Sequence, residues 1–180
     1  MTNTPNLAGQ FAPYSPDAEE AVLGSILINP EQFLALASFL RKEDFYIRRH
    51  EMLWDVCMRI SERGDRIDLL TVQEELRALG QLTEIGGLPF LIQLTNATPT
   101  SAHAEVYGRI VERASIRRRL LIAGDEIKAL ALQEDLSIER VTAEAEARLF
   151  SVTEMNVRKD IVPMRDAIAE YFDRIEHLIQ

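Results

Sequence analysis

Three histidines and one cysteine are the side chains of this sequence best suited to nucleophilic, acid–base or metal chemistry. None of His50, His103 and His177 stands at metal-ligand spacing from another histidine or from Cys57. Cys57 lies among apolar residues at helical spacing, which predicts a buried, unreactive thiol. We expect His50 to form a hydrogen bond that fixes the loop before a predicted helix. The sequence therefore predicts no catalytic residue, no cofactor-binding residue and no metal site in this chain.

Paired carboxylates and glycine-rich loops are two further sources of catalytic chemistry. Glu19-Glu20 and Glu74-Glu75 fall near predicted helix starts, where negative charge is favourable. We interpret both pairs as solvated surface rather than as an acid and a base facing each other across a cleft. The only glycine pair, Gly86-Gly87, has no lysine behind it, and the sequence contains no G-x-x-x-x-G-K-[ST] motif for holding phosphates. The sequence therefore predicts that this chain is not itself an enzyme.

Basic residues cluster at Arg117-Arg118-Arg119 and at Arg48-Arg49-His50. Three successive helical residues spread over nearly a full turn, so at most two of them share a face. The chain has 20 basic and 29 acidic residues and a net charge of −9, which is the wrong sign for a surface that mainly binds phosphates. We interpret both clusters as a solvated face or as inter-subunit ion pairs rather than as a DNA track.

Helix signals between residues 15 and 100 predict a bundle of short helices and an all-α fold. The strand-like runs, Ile67 to Leu70 among them, are too short to outweigh the helical spacing of apolar residues. Gly24, inside the first helix, costs about 1 kcal/mol relative to alanine, and we interpret it as a close approach of another helix. The signals are Ser15-Pro16 for the first helix, Asn29-Pro30-Glu31 for the second, Arg48 to Arg63 with Gly64 as the end of the third, a capping box at Thr71-Val72-Gln73-Glu74 with Gly80 as the end of the fourth, and Leu88 to Thr95 for the fifth.

A much longer helix is predicted after Pro99-Thr100. It begins at Ser101, runs to about Gln133, and at 1.5 Å per residue is about 48 Å long. Ser137 begins a second helix, and we expect the two to form an antiparallel hairpin. The apolar residues of the long helix have coiled-coil spacing, and we predict that subunits pack through them rather than that the hairpin uses them all internally. The predicted oligomer interface comprises Ile110, Ile116, Leu120, Ala123, Ile127 and Leu130.

The end of the sequence has a different pattern. Residues 156–162 are predicted to be a linker, and Pro163 then begins an amphipathic helix that has no stop signal before Gln180. We expect this helix, 163–180, to be truncated. Its predicted docking face consists of Ile168, Tyr171, Phe172, Ile175 and Leu178. The predicted organisation is a flexible tail at 1–14, a globular helical bundle at 15–100, an oligomerisation hairpin at 101–155, the linker, and the truncated helix.

The cellular compartment is predicted from the N-terminus and from cysteine usage. Residues 1–11 lack the basic flank and apolar core of a signal peptide, and no run approaches the roughly 18 apolar residues of a membrane span. One cysteine excludes an internal disulfide framework. The sequence predicts a cytoplasmic protein with no membrane partner.

Short motifs occur in a defined order between residues 14 and 150. The two most informative are the run Ser15-Pro16-Asp17-Ala18-Glu19-Glu20-Ala21-Val22-Leu23-Gly24-Ser25-Ile26-Leu27 and the segment Asp44-Phe45-Tyr46 followed by His50. Others are Ile67-Asp68-Leu69-Leu70-Thr71, Ile85-Gly86-Gly87 with Phe90-Leu91, and Pro99-Thr100 ahead of Tyr107. In order and spacing, these motifs resemble the N-terminal domain of DnaB-family replicative DNA helicases.

The resemblance implies a function as well as a fold. In this family the hairpin pairs with a neighbour to build a ring-shaped collar, the collar recruits the C-terminal domain of primase, and the linker helix docks on the motor domain of the adjacent subunit. The resemblance therefore implies self-assembly, with residues 102–150 as the candidate primase region and a helicase loader as a further partner. The parent protein would be a hexameric, ATP- and Mg²⁺-dependent 5′–3′ helicase. Its motor, which makes most contacts with single-stranded DNA, is absent from this sequence.

Two other interpretations of the sequence remain open. The helicase-binding domain of bacterial primases has a similar helical fold with a C-terminal hairpin. A free-standing helical adaptor that dimerises through the hairpin needs no motor domain.

The two basic clusters, at residues 48–50 and 117–119, also have a second interpretation. In a ring-shaped assembly, either cluster could line a central opening.

Overall fold

Helices make up most of the structure, a computed structural model that describes residues 12–157. No strand occurs within that range, and the all-α prediction is confirmed. The predicted final helix and its docking face lie outside the described residues, as does the linker beyond Val157. The helices are α1 (Pro16–Ile28), α2 (Gln32–Ala37), α3 (Arg48–Glu62), α4 (Leu69–Ala78), α5 (Gly87–Ala97), α6 (Ala104–Ala131) and α7 (Ile138–Val157), with short 3-10 turns at Lys42–Asp44 and Ser101–His103.

Helix α1 begins as its sequence predicts. Ser15 Oγ accepts a hydrogen bond from Ala18 N at 3.4 Å, and Pro16 occupies the first turn, where its missing N–H group costs nothing. Residues on nearly every side of this helix are buried, because it packs against α2, α3 and α5. A helix that is apolar all round is typical of the centre of a core. The largest fully buried side chains of the chain include Leu23, Ile26, Phe33, Leu36, Leu40, Leu53, Trp54, Ile60, Leu76, Ile85, Leu91 and Leu94.

Gly24 lies where α1 and α5 come closest. A Cβ atom built on Gly24 would lie 1.9 Å from Thr98 Oγ1 and 2.4 Å from the carbonyl oxygen of Leu94. No side chain fits in that space, so the glycine permits the two backbones to touch. The predicted close approach of another helix is confirmed.

The start of α4 differs from its prediction. Asp68, not Thr71, is the N-cap: its Oδ1 accepts hydrogen bonds from the backbone N–H groups of Leu70 and Thr71, both at 2.9 Å. Thr71 Oγ1 in turn accepts from the Asp68 backbone N–H at 2.9 Å, so the capping box is one turn earlier than predicted. The predicted capping box at residues 71–74 is wrong, because the Asp68 carboxylate is a stronger acceptor than the Thr71 hydroxyl and caps the helix three residues earlier.

The beginning of α6 also differs in detail. Residues Ser101–His103 form a 3-10 turn, whose N-cap is Thr100 rather than Ser101, and α6 proper begins at Ala104. A Cβ atom built on Gly108 would lie 2.7 Å from Leu36 Cδ2 and 2.9 Å from Phe39 Cζ. The first turns of α6 therefore pack closely against the end of α2.

The chain divides into two compact units, which within the described residues are 12–121 and 122–157. The first unit contains α1 to α5 and the first part of α6. In the second unit, the end of α6 and α7 lie together: Arg148 Nε is 3.5 Å from Glu126 Oε2, and Ala123 and Val152 are buried. The predicted division of the chain at residues 100 and 155 stays a prediction.

Candidate functional site

Glu19 is a buried carboxylate in the middle of the first unit. Its Oε1 accepts a hydrogen bond from Tyr46 N at 2.8 Å, and its Oε2 accepts from Ile47 N at 3.2 Å. Nδ1 of His50 lies 2.9 Å from the same Oε2. The interpretation of Glu19 as solvated surface is wrong, because three donors replace the water that the carboxylate loses on burial.

His50 holds the loop before α3 by way of Glu19. Its ring stacks on that of Phe90, with centroids 5.8 Å apart and planes 6° from parallel. The second ring nitrogen, Nε2, is buried and has no hydrogen-bond partner. A substrate cannot reach either nitrogen, so the geometry fits a structural histidine. The predicted role of His50 in fixing this loop is confirmed.

A second buried carboxylate, Asp44, ties α6 to the turn that precedes α3. Its Oδ1 accepts hydrogen bonds from Ser115 Oγ at 2.7 Å and from Arg119 Nη2 at 3.1 Å. Its Oδ2 accepts from the backbone N–H of Arg41 at 2.8 Å. Arg118 Nη2 donates to the backbone carbonyl of Asp44. Two successive turns of α6 are therefore bonded to one residue of the 3-10 turn.

Arg118 also holds the segment that enters α1. Its Nη1 donates to the carbonyl oxygen of Pro13 at 2.8 Å, and its guanidinium lies 5.4 Å from the centroid of the Tyr46 ring. Desolvation lowers the pKa of Arg118, although an arginine keeps its charge at neutral pH. The interpretation of the 117–119 cluster as solvated or inter-subunit is wrong for Arg118 and Arg119, which bond within the chain. Arg117 is exposed.

The other basic cluster divides in a similar way. Arg48 is exposed and pairs with Glu51 one turn later, at 2.8 Å. Arg49 lies 3.5 Å from Glu20 and covers the Phe90 ring at 4.2 Å from its centroid. Arg49 therefore joins α3 to α1 and α5, whereas Arg48 fits the predicted solvated face.

Reactive groups are few within residues 12–157. Cys57 is buried, as predicted, and burial raises the pKa of its thiol to about 12. In this range, no three His, Cys, Asp or Glu side chains are placed to hold a metal ion. A search of the same residues finds no helix that is both long and apolar enough to span a bilayer.

The predicted oligomer interface is divided between the two units. In the first unit, Ile110 and Ile116 are half-buried and Leu120 is exposed. In the second unit, Ile127 and Leu130 are half-buried, whereas only 5% of Ala123 is exposed. Ala123 is therefore used inside the hairpin and is a poor candidate for a contact between subunits.

Other apolar residues of the second unit are more exposed than the predicted ones. On the last turns of α6, Ile122 is 59% exposed, and on α7, Phe150 is 60% exposed. Leu132, Ile138 and Leu149 are also exposed. The predicted interface did not include them because it followed the coiled-coil spacing of the long helix alone. We call Ile122, Leu132, Ile138, Leu149 and Phe150 the hairpin apolar surface.

Comparison with known proteins agrees with this architecture. The family model described as the DnaB-like helicase N-terminal domain matches residues 12–113. The replicative DNA helicase DnaB of Geobacillus stearothermophilus is 34% identical over 169 residues, which cover 94% of this chain and 37% of that protein. The crystal structure of the N-terminal domain of DnaB helicase from Mycobacterium tuberculosis is 32% identical, with a TM-score of 0.74, and the match covers 78% of this chain and 99% of that one.

A more distant structure shares the fold. The N-terminal domain of DnaB helicase from Helicobacter pylori, described together with its interactions with primase, is 23% identical with a TM-score of 0.56. That match covers 64% of this chain and 89% of the Helicobacter chain. At this identity the likeness shows the fold alone.

The fold and its buried polar contacts define a class of all-α domain, in which one unit contains α1 to α5 with the first part of α6 and the other contains the end of α6 with α7. The chain belongs to the DnaB-like helicase N-terminal domain family. The resemblance drawn from its motifs is thereby confirmed, and the helicase interpretation is favoured over the primase one. The chain spans 37% of the length of its Geobacillus relative.

Proposed function

We propose that this chain is the part of a replicative DNA helicase that assembles subunits and recruits primase. The parent protein would be a hexamer that unwinds DNA in the 5′–3′ direction with ATP and Mg²⁺. Its motor domain would supply the nucleotide site and most contacts with single-stranded DNA, and a helicase loader would be a further partner. A cytoplasmic location belongs to the same proposal.

The observation that carries the assembly role is the hairpin apolar surface. Five large side chains are exposed on a unit that consists, in its described part, of two helix segments and their connection. Several large apolar side chains left exposed on one small unit favour a contact site there. Two helices alone bury little apolar area, so a second hairpin packed against them would supply the missing core. The half-buried Ile116, Ile127 and Leu130 would lie near the edge of such a contact.

Support for the primase role comes from a relative. The Helicobacter domain has the same fold and is described with its interactions with primase. Residues 102–150 remain our candidate region for the corresponding contact in this chain. The expected partner is the C-terminal domain of primase rather than its catalytic part.

The assembly proposal is tested by measuring the molar mass of the chain by light scattering after gel filtration, over a wide concentration range. We expect dimers or larger assemblies for the unchanged chain, and a lower mass at each concentration for Ile122→Asp and Phe150→Asp. Leu34→Asp is the matched control, because Leu34 is 72% exposed on α2 in the first unit. A monomer at every concentration, or equal effects of all three variants, would contradict the proposal.

The primase proposal has its own measurement. Isothermal titration of the chain with a purified primase C-terminal domain is expected to show saturable binding, and a variant that lowers the molar mass should also be titrated. Binding that survives in the monomeric variant would place the primase contact outside the assembly surface. No heat of binding to either the chain or its parent hexamer would contradict primase recruitment.

A further inference from the structure

A groove on the first unit contains two arginines and the exposed ring of Tyr14. Its volume is about 590 Å³, and its lining includes Pro13, Tyr14, Ser15, Ile110, Arg113, Ala114 and Arg117. Arg113 and Arg117 stand one helical turn apart on α6 and are both exposed. Neither guanidinium forms an ion pair with a residue of the range 12–157. Two adjacent cations with no carboxylate partner among residues 12–157 form a local positive patch in a chain whose net charge is −9.

Tyr14, the aromatic residue that lines the groove, packs against the ring of Tyr46 beside it. The rings of Tyr14 and Tyr46 lie 4.5 Å apart with planes 31° from parallel, and their side chains remain 44% and 49% exposed. Arg118 fixes this pair, because it donates to the Pro13 carbonyl next to Tyr14 and lies over the Tyr46 ring. A ring held in this way loses little conformational entropy when a ligand stacks on it.

We propose that Arg113, Arg117 and the Tyr14–Tyr46 pair form a binding site for single-stranded nucleic acid. Guanidinium groups one turn apart suit successive phosphates, and a half-exposed aromatic ring suits a base, which is the usual combination in sites for single strands. A duplex would not offer its base faces to the rings. All residues of the site belong to the first unit, so its formation does not require ring assembly, primase or a motor domain.

The charge of the chain limits the affinity of this site. Only two arginines are offered, Asp17 lies on the adjoining hollow beside Ser15, and the whole molecule repels phosphates. We therefore expect a dissociation constant of about 10⁻⁴ to 10⁻⁶ M, the range of non-specific nucleic-acid binding. With two phosphates contacted, the logarithm of the affinity should fall with the logarithm of salt concentration with a slope of about −1.4.

The experiment measures the fluorescence anisotropy of a short labelled oligodeoxythymidine titrated with the whole chain at about 50 mM salt. The double variant Arg113→Gln/Arg117→Gln should lose at least about tenfold in affinity and most of the salt dependence. The control Arg77→Gln/Arg140→Gln removes the same charge from exposed arginines outside the groove, and it should lose less than about twofold. Equal losses in the two double variants would show a general charge effect and overturn the proposal.

The aromatic contribution is tested separately. Tyr14→Leu should lower the affinity by about tenfold, whereas Tyr14→Phe, which keeps the ring, should stay near the unchanged chain. Circular dichroism confirms that each variant is folded.

A glutamate-rich peptide is the competing ligand. If the peptide binds with the same arginine dependence and the oligonucleotide does not bind, the groove is a docking site for an acidic protein segment and the proposal is wrong. Loss of self-assembly in the hairpin variants, without loss of oligonucleotide binding, keeps this site distinct from the proposed assembly function.

Discussion

Oε2 of Glu19 lies 2.9 Å from Nδ1 of His50, and both side chains are almost completely buried. The contact joins α1 to α3 across a separation of 31 residues. Because the same carboxylate also accepts from the backbone of Tyr46 and Ile47, it holds three parts of the first unit together. A buried polar network of this kind becomes destabilising when one member is removed, because the remaining buried groups lose their hydrogen-bond partners.

Glu19→Ala is expected to lower the free energy of unfolding by about 3–5 kcal/mol, because it leaves two backbone N–H groups and the His50 ring without their acceptor. Urea unfolding followed by circular dichroism measures the change. The control is Glu20→Ala, which removes the neighbouring carboxylate and its pair with the part-exposed Arg49, and should cost at most about 1 kcal/mol. Equal costs for the two variants would mean that Glu19 is an ordinary surface acid.

Asp44 bonds the first part of α6 to the rest of the first unit. Asp44→Ala removes the acceptor of Ser115 and Arg119 and is expected to cost about 3–5 kcal/mol, whereas Ser115→Ala removes one neutral donor and should cost about 1–2 kcal/mol. Amide hydrogen exchange localises the effect: residues 104–119 should lose protection with Asp44→Ala. Unchanged protection there, together with a wild-type unfolding midpoint, would contradict the assigned role.

Much of the fold can be predicted from local signals, and much of the site cannot. Ser15, Gly64 and Gly80 mark helix ends through their own backbone and side-chain preferences, so the sequence alone predicts them. Glu19 lies in the first turn of α1, where an acid is normally solvated. Its hydrogen-bond donors are backbone groups 27 and 28 residues later in the sequence, so no local signal indicates its burial. The partner of Ser115 is 71 residues away, which no periodicity indicates.

The start of α4 offers a test of stability against pH. Hydrogen bonds from the Thr71 backbone first, and also from the Thr71 side chain and the Leu70 backbone, lower the pKa of Asp68. A carboxyl whose folded-state pKa is lowered stabilises the fold above its unfolded-state pKa, and the contribution is lost as pH falls through the lowered folded-state value. Asp68→Ala is therefore expected to cost about 1 kcal/mol at pH 7 and progressively less below about pH 4.

Two controls separate this cap from the one that the sequence predicted. Glu74→Ala should leave the free energy of unfolding nearly unchanged, because Glu74 is exposed and pairs only with Arg77 among the described residues. Thr71→Val should cost about as much as Asp68→Ala at neutral pH, since Thr71 completes the capping box. A large cost for Glu74→Ala and none for Asp68→Ala would restore the capping box at residues 71–74.

Replacement of a helical glycine by alanine is expected to change the stability of the chain in opposite directions at positions 24 and 124. Gly24→Ala places a methyl group against the backbone carbonyl of Leu94, which cannot move without shifting α5, so we expect a loss of about 3 kcal/mol or more. Gly124→Ala on α6 meets no atom within 4 Å and should stabilise the chain by roughly 0.5–1 kcal/mol, because alanine loses less backbone entropy in a helix. Thermal and urea unfolding of the two variants provide the comparison.

Thr98→Ala combined with Gly24→Ala should recover only part of the lost stability, since it removes the hydroxyl at 1.9 Å but leaves the carbonyl at 2.4 Å. Full recovery would show that the side chain of Thr98, and not the approach of the two backbones, requires a glycine at position 24.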